Sequence, residues 1–147
     1  MENSNHFNVI VIGAGISGIG AGYYLKKNCP NKSFCIIEGR ENIGGTWDLF
    51  KYPGIRSDSD MFTLGFAFKP WKEQKTIANG PSILNYLEET VEENNLREKI
   101  KFSHKVLSAN WNSGSQKWEV RAAHNEQEIL LTANFLFMGT GYYNYDE

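Results

Sequence analysis

Apolar and polar positions along the chain switch between two periods, and each switch marks an element. Asn8 to Ile12 (NVIVI) is a β-branched run with apolar residues on both faces, the pattern of a central parallel strand covered by helices on both sides. Gly13 to Gly18 interrupts it, and Ile16 to about Lys27 then reads as a helix. Ser33 to Glu38 (SFCIIE) reads as a second buried strand. Strand, glycine turn, helix and strand within about thirty residues make a βαβ unit, for which a right-handed crossover is expected.

Residues 43–60, IGGTWDLFKYPGIRSDSD, follow neither period, and Met61 to Lys75 has scattered aromatics without a clean repeat. Gly80-Pro81 precedes a helix expected from Ser82 to about Leu96, with Pro81 in its first turn and an apolar stripe of Ile83, Leu84, Leu87 and Val91. Lys101-Phe102 reads as a short sheet strand. Residues 105–112, 116–123 and 128–134 read as three strands, separated by turns at Asn112-Ser113-Gly114-Ser115 and His124-Asn125-Glu126-Gln127. Phe135 to Met138 reads as a buried run closed by Gly139-Thr140-Gly141. The fold expected is α/β: a Rossmann-like parallel sheet with a βαβ start, plus a three-stranded antiparallel meander. It forms one domain over residues 1–147, with no repeats, low-complexity segments or linkers.

Composition narrows the function classes. The chain is long enough for a real core and is 41% hydrophobic and 22% charged. A net charge of −2 with no basic cluster gives no reason to expect nucleic acid or an anionic membrane as partner. Cys29 and Cys35 form neither a CxxC nor a metal-like spacing, which fits reduced cytosolic thiols and no metal site. MENSNHFN lacks the pattern of a signal peptide. No apolar run approaches the roughly 18–20 residues of a membrane span, so a cytoplasmic chain is expected.

The chemistry begins at VIVIGAGISGIGAG, where Gly13, Gly15 and Gly18 form G-x-G-x-x-G and Gly22 follows four residues later. Gly13 permits the tight exit from the strand, and Gly15 lets the backbone approach a pyrophosphate. Gly18 and Gly22 let the helix pack closely on the strand. The pyrophosphate sits against the free N–H groups and positive end of the helix dipole. Glu38, at the end of the second strand, can accept hydrogen bonds from both hydroxyls of an adenosine ribose and would repel a 2′-phosphate. The site should therefore hold NAD or FAD rather than NADP. Arg40 weakens that exclusion, or alternatively packs on the adenine. Periodicity does not separate NAD from FAD.

The set GAGISG, Glu38, IGGTW, YPGIRSD and MGTG resembles the flavin-containing monooxygenases, and most closely their Baeyer–Villiger branch, from Asn8 to Tyr143. The resemblance implies that the glycine turn with Ile16 and Ser17 binds FAD, and that Glu38, Gly39 and Arg40 lie at the adenosine end. It implies further that Gly44, Gly45, Thr46 and Trp47 run along pyrophosphate, ribityl chain and flavin, and that the Val106 backbone meets the adenine. Thr140 and Gly141 close over the cofactor near the pyrophosphate, and Asp58 lies at the flavin edge as the catalytic residue.

Bottom-up chemistry agrees with these roles. Gly44-Gly45 exposes backbone N–H groups, and Trp47 and Tyr52 offer flat surfaces. Asp58 would set charge balance if partly desolvated beside a cation. Each residue also has a bland reading. Trp47 and Tyr52 alone suit a core, and Asp48, Asp58 and Asp60 alone suit turns. Trp71, Trp111 and Trp118 suit core or meander surfaces, and Glu88, Glu89, Glu92 and Glu93 a solvated helix face. His6, His104 and His124 are isolated in sequence and receive no role.

The family reaction uses FAD, NADPH and O₂ on a small organic substrate, a ketone or a heteroatom compound. This sequence has no second G-x-G-x-x-G for NADPH and no F-x-G-x-x-x-H-x-x-x-W fingerprint. The expectation is thus the FAD-binding part of such an enzyme, incomplete relative to the family and not competent alone. Its exposed apolar surface would favour self-association or pairing with a complementary chain. The alternatives are a non-catalytic FAD-binding or interaction module, and a small NAD-binding oxidoreductase, against which GGTW and YPGIRSD argue.

Overall fold

A computed structural model describes residues 5–144. The first four residues of MENSNHFN, on which the signal-peptide reading partly rests, lie outside that range. Strand β1 (His6–Ile12) is followed by helix α1 (Ile16–Asn28) and strand β2 (Phe34–Ile37). Two four-residue helices, α2 (Thr46–Leu49) and α3 (Met61–Leu64), interrupt the aperiodic stretch, and α4 spans Gly80–Glu93. After a 3-10 turn at Arg97–Lys99 come β3 (Ile100–Lys101), β4 (Lys105–Asn112), β5 (Lys117–His124) and β6 (Gln127–Met138).

All six strands form one mixed sheet in the order β3-β2-β1-β6-β5-β4. β1 pairs in parallel with both β2 and β6, while β6, β5 and β4 run antiparallel. The expected βαβ unit and meander are both present. The meander is an extension of the Rossmann-like sheet rather than an addition to it, because β6 belongs to both halves.

That continuity corrects one expectation. Phe135 to Met138 is the last third of β6, and it is not buried: Phe135 is 69% and Met138 61% exposed. The register with β5 ends at Trp118↔Ala133, so beyond that point β6 is paired only with β1. The short strand expected at Lys101-Phe102 lies one residue earlier.

Alternation along β1 and β2 feeds two cores. Val11 and Ile36 face α1 and α4, where they meet Ile19, Ile83, Leu87, Val91 and Leu96. Ile10, Ile12, Cys35 and Ile37 face the opposite side with Val120, Leu131 and Ala133. α1 lies close to the sheet because its glycines permit it. A Cβ at Gly22 would stand 2.8 Å from Ile36 Cδ1, and one at Gly18 would stand 1.8 Å from the Gly13 carbonyl oxygen.

α4 begins two residues earlier than expected because the Asn79 side chain accepts the Ser82 N–H at 2.8 Å, which caps the helix at Gly80. It stops at Glu93, and the fully buried Leu96 lies in the turn that follows. The aperiodic aromatics wrap α1 and α4. Phe68 stacks on Tyr23 and Phe66, and the Tyr86 hydroxyl accepts the Phe66 N–H and donates to the Lys69 carbonyl. Trp71 is buried and Trp118 half-buried, whereas Trp111 is exposed on the meander. Glu89, Glu92 and Glu93 do form a solvated face, where they and half-buried Glu88 pair with Lys69 and Arg97.

Candidate functional site

Beyond the carboxyl ends of β1, β2 and β6, two glycine turns face each other across a cleft of about 740 Å³. This is the position where open α/β sheets hold ligands, and the volume lies within the roughly 300–1,000 Å³ usual for cofactor sites. The first turn leaves β1 at Gly13, whose φ of +99° belongs to glycine. Gly13 N–H donates to the Ile37 carbonyl at 2.8 Å, which ties the turn to β2. Gly15 then caps α1, with the extended angles φ −80° and ψ −169°.

The second turn, Gly44-Gly45, has φ values of +108° and +52°. It is held across from the first by Gly44 N–H donating to the Ala14 carbonyl at 2.9 Å. A Cβ at Gly13 would meet the Gly139 carbonyl oxygen at 2.6 Å, and one at Gly44 would meet Leu84 Cδ1 at 2.5 Å. At Gly15 the nearest atom is Gly45 Cα, at an ordinary 3.8 Å. Backbone contacts therefore require glycine at 13 and 18, and the positive φ favours it at 44, but neither demand applies at 15.

Glu38 closes the β2 end of the cleft and is 8% exposed. Its Oε2 accepts the Ala14 N–H at 2.8 Å and its Oε1 the Arg40 N–H at 3.0 Å. The Glu38 carboxylate thus supports the first turn as well as lining the cleft. Arg40 lines this end of the cleft and is tethered to the second turn. Its guanidinium is ion-paired with Asp48 and donates to the Gly45 carbonyl at 3.2 Å. Asp48, read as a turn residue, is a buried side chain in α2, 5% exposed. Asp60 has the local role expected, as the cap of α3 accepting the Thr63 N–H.

Val106, at the start of β4, lines the same end, together with His104 and Lys105. The loop before β4 is sewn to the acid by His104 N–H donating to the Glu38 carbonyl and Ser103 N–H to the Arg40 carbonyl. His104 and His124, isolated in sequence, stack with ring centroids 4.0 Å apart. Their Nδ1 atoms lie against the carbonyls of Phe102 and Ser103. His6 Nδ1 pairs with the Thr132 hydroxyl, away from the cleft.

At the other end, Trp47 lines the cleft and also packs on the core. Tyr52 has neither role: it is 59% exposed and absent from the cleft lining. Asp58 lines the cleft between Ser57 and Ser59 and is exposed. Its loop is pinned by buried Ser57, whose N–H donates to the Ala78 carbonyl and whose Oγ accepts the Ala78 N–H. Thr140 and Gly141 line the third side, followed by Tyr142 and Tyr143. The Tyr142 hydroxyl and its charge hold the Tyr143 phenol above its ordinary pKa, with burial and Asp58 adding smaller amounts.

Fifteen of the sixteen site residues expected from sequence line this cleft, the exception being Gly18, which is buried in the α1–β1 contact. Sequence reasoning gave no role to Ser57, His104, Lys105, Tyr142 and Tyr143, which also line the cleft, nor to Asp48 as the partner of Arg40; of these lining residues only Ser57 lies inside a recognised motif. A second hollow, of about 700 Å³, lies along α1 beside Tyr24, Phe66 and Phe137 and has no acid or cation in its lining. Among the described residues no cluster of metal-ligating side chains occurs, and no helix is long and apolar enough to cross a membrane.

Residues 11–74 match the family model of an NAD(P)-binding Rossmann-like domain. The FAD-containing monooxygenase EthA of Mycolicibacterium smegmatis is 53% identical over 144 residues, covering 98% of this chain and 29% of that protein. The probable FAD-binding monooxygenase AlmA of an Acinetobacter species is 55% identical over 141 residues, covering 95% of this chain and 28% of its own. An open structure of cyclohexanone monooxygenase superposes with a TM-score of 0.84 at 29% identity, covering 94% of this chain and 27% of that one. The chain thus spans less than a third of the length of the proteins it matches. Over nearly all of its own length it is homologous to the FAD-containing monooxygenases, with the Baeyer–Villiger enzymes as its structural neighbours.

Proposed function

We propose that residues 1–147 are the FAD-binding part of a flavin-dependent monooxygenase that uses NADPH and O₂ for Baeyer–Villiger-like oxygen insertion or heteroatom oxygenation. The observation that carries this reading is Gly15. Its missing side chain answers no demand of the fold, yet it faces the cleft between two turns rich in N–H groups, where a pyrophosphate needs a bare backbone. The residues present fit the cofactor. The N–H groups of Gly15, Ile16 and Ser17 at the α1 N-terminus would face the pyrophosphate, since those of Gly13 and Ala14 are taken by the Ile37 carbonyl and Glu38. Glu38 and Gly39 would hold the ribose, and the Val106 backbone the adenine.

Gly44, Gly45, Thr46 and Trp47 would run beside the ribityl chain and flavin, with Thr140 and Gly141 closing near the pyrophosphate. Asp58 would supply a negative charge at the flavin edge and is the catalytic residue of this reading. FAD, when bound, supplies the redox chemistry for activating O₂. NADPH and the organic substrate, a ketone or heteroatom compound, are assigned to the complete enzyme, because this chain matches 29% of the mycolicibacterial relative. A cytoplasmic location accompanies the reading. The bare Phe135, Phe137 and Met138 are the surface where self-association or pairing with a complementary chain would occur.

Purification tests the assignment. A protein that retains or takes up FAD with the visible flavin absorbance band, yet oxidises no NADPH by itself, is the expected result. A colourless protein that binds NAD⁺ and never FAD would overturn it. Light scattering over a concentration series tests the pairing, which fails if the chain stays monomeric throughout.

A further inference from the structure

Arg40 stands at the adenosine end of the cleft, two residues from Glu38. A guanidinium there, if free to turn toward the ribose, is the usual means of accepting a 2′-phosphate. Here it is directed elsewhere. One Nη is ion-paired with Asp48 and the other donates to the Gly45 carbonyl. The Asp48 side chain is 7% and that of Arg40 29% exposed, so solvent competes little for the carboxylate.

Arg40 also closes a ring of hydrogen bonds. Gly44 N–H donates to the Ala14 carbonyl and Ala14 N–H to Glu38 Oε2. Arg40 N–H donates to Glu38 Oε1, and the Arg40 side chain returns to Gly45.

The geometry points to Asp48 as a specificity-determining residue. By holding Arg40 against the second glycine turn, it keeps the cation from the ribose edge and leaves the Glu38 charge to face the 2′ position. The cleft then rejects dinucleotides that carry a 2′-phosphate. This rests on the ribose lying at Glu38, as in the function proposed above. Lys105 lines the same end and is unchanged in every variant below, so its charge cancels from each comparison.

The test is calorimetric titration of the whole chain with NAD⁺ and with NADP⁺, which differ only by the 2′-phosphate. Asp48→Asn should move the ratio of the two dissociation constants toward NADP⁺ by about tenfold. The double variant Asp48→Asn with Arg40→Gln should restore the original ratio. Loosening of the glycine turn weakens both probes alike and leaves the ratio in place, while circular dichroism reports the fold. Should Asp48→Asn fail to fold, Arg40→Gln alone must leave the ratio within about twofold of the starting protein.

A ratio unmoved by Asp48→Asn, or a shift that persists without Arg40, overturns the inference. So does a stronger preference for NAD⁺ in Arg40→Gln, since Arg40 would then already face the ribose. Binding of neither probe by any of these proteins overturns the inference. FAD uptake is read separately. A protein that takes FAD but shows an unmoved ratio fails only this inference, and one whose ratio moves but that never takes FAD fails only the flavin assignment.

Discussion

Two alanine substitutions in the first glycine turn separate what the fold requires from what a ligand requires. At Gly18 the added methyl would stand 1.8 Å from the Gly13 carbonyl oxygen and 2.9 Å from its carbon, both backbone atoms. Relief means moving α1 off β1, an overpacking cost of about 1–3 kcal/mol or more. At about 2–4 °C per kcal/mol for a chain of this size, Gly18→Ala lowers Tm by about 2–12 °C.

At Gly15 the methyl meets Gly45 Cα at 3.8 Å, and the backbone angles suit any residue. Alanine there restricts the unfolded chain, which favours folding by about 0.4–1 kcal/mol. It is also a poorer helix cap than glycine, by a similar amount of about 0.5–1 kcal/mol. The two offset, so the Tm of Gly15→Ala stays within about 2 °C of the parent. Its FAD affinity falls at least about tenfold, or 1.4 kcal/mol, because the methyl occupies the approach to the pyrophosphate. Thermal circular dichroism on the apo chain and flavin fluorescence quenching read the two effects. If Gly15→Ala melts as low as Gly18→Ala, or binds FAD as the parent does, the reasoning is wrong.

Other perturbations probe the surrounding frame. Asn79→Ala removes the cap of α4 and should cost about 1 kcal/mol, a Tm drop of about 2–4 °C in the same melts. Leu87→Ala empties a fully buried position and should lower stability by about 2–5 kcal/mol, read as a shifted urea midpoint with unchanged slope. Burial pushes the Cys35 thiol from 9.0 up to about 12, with Lys101 opposing, while Cys29 is exposed. Alkylation of the native protein followed by mass spectrometry should label Cys29 alone, Cys35 reacting only after denaturation. Because folding favours the protonated Cys35 thiol, its contribution to stability is complete below about pH 9 and is lost as pH climbs toward about 12.

The legible parts of this chain are those whose cause is local. NVIVI, the glycine turn and SFCIIE carry their periods and turn residues within a few positions, so β1, α1, β2 and the floor of the cleft follow directly from them. The exposure of β6 beyond Ala133 is not local, because an apolar run reads the same whether or not a neighbouring strand covers it. Asp48 could not be told from a turn aspartate because its partner lies eight residues back across irregular chain. His104 and His124, twenty residues apart, come face to face only through the antiparallel register of β4 and β5, one step past Lys105↔Ala123. The family resemblance supplied the roles of Asp58 and Val106, where no period or spacing did.

The central position of β1 has a consequence in time. The hydrogen bond between His6 and Thr132 at its start spans 126 residues, and its whole second edge waits for β6. At a ribosomal pace of about 5–20 residues per second, that edge stays bare for roughly 6–25 s of synthesis. The Gly139 backbone that closes against Ile12 arrives later still, so the cleft cannot close before residue 139 is made. Such long-range closure makes folding slow and leaves the partly made sheet vulnerable to other strands. A chaperone that engages this chain during translation would therefore find β1 as its most persistent target.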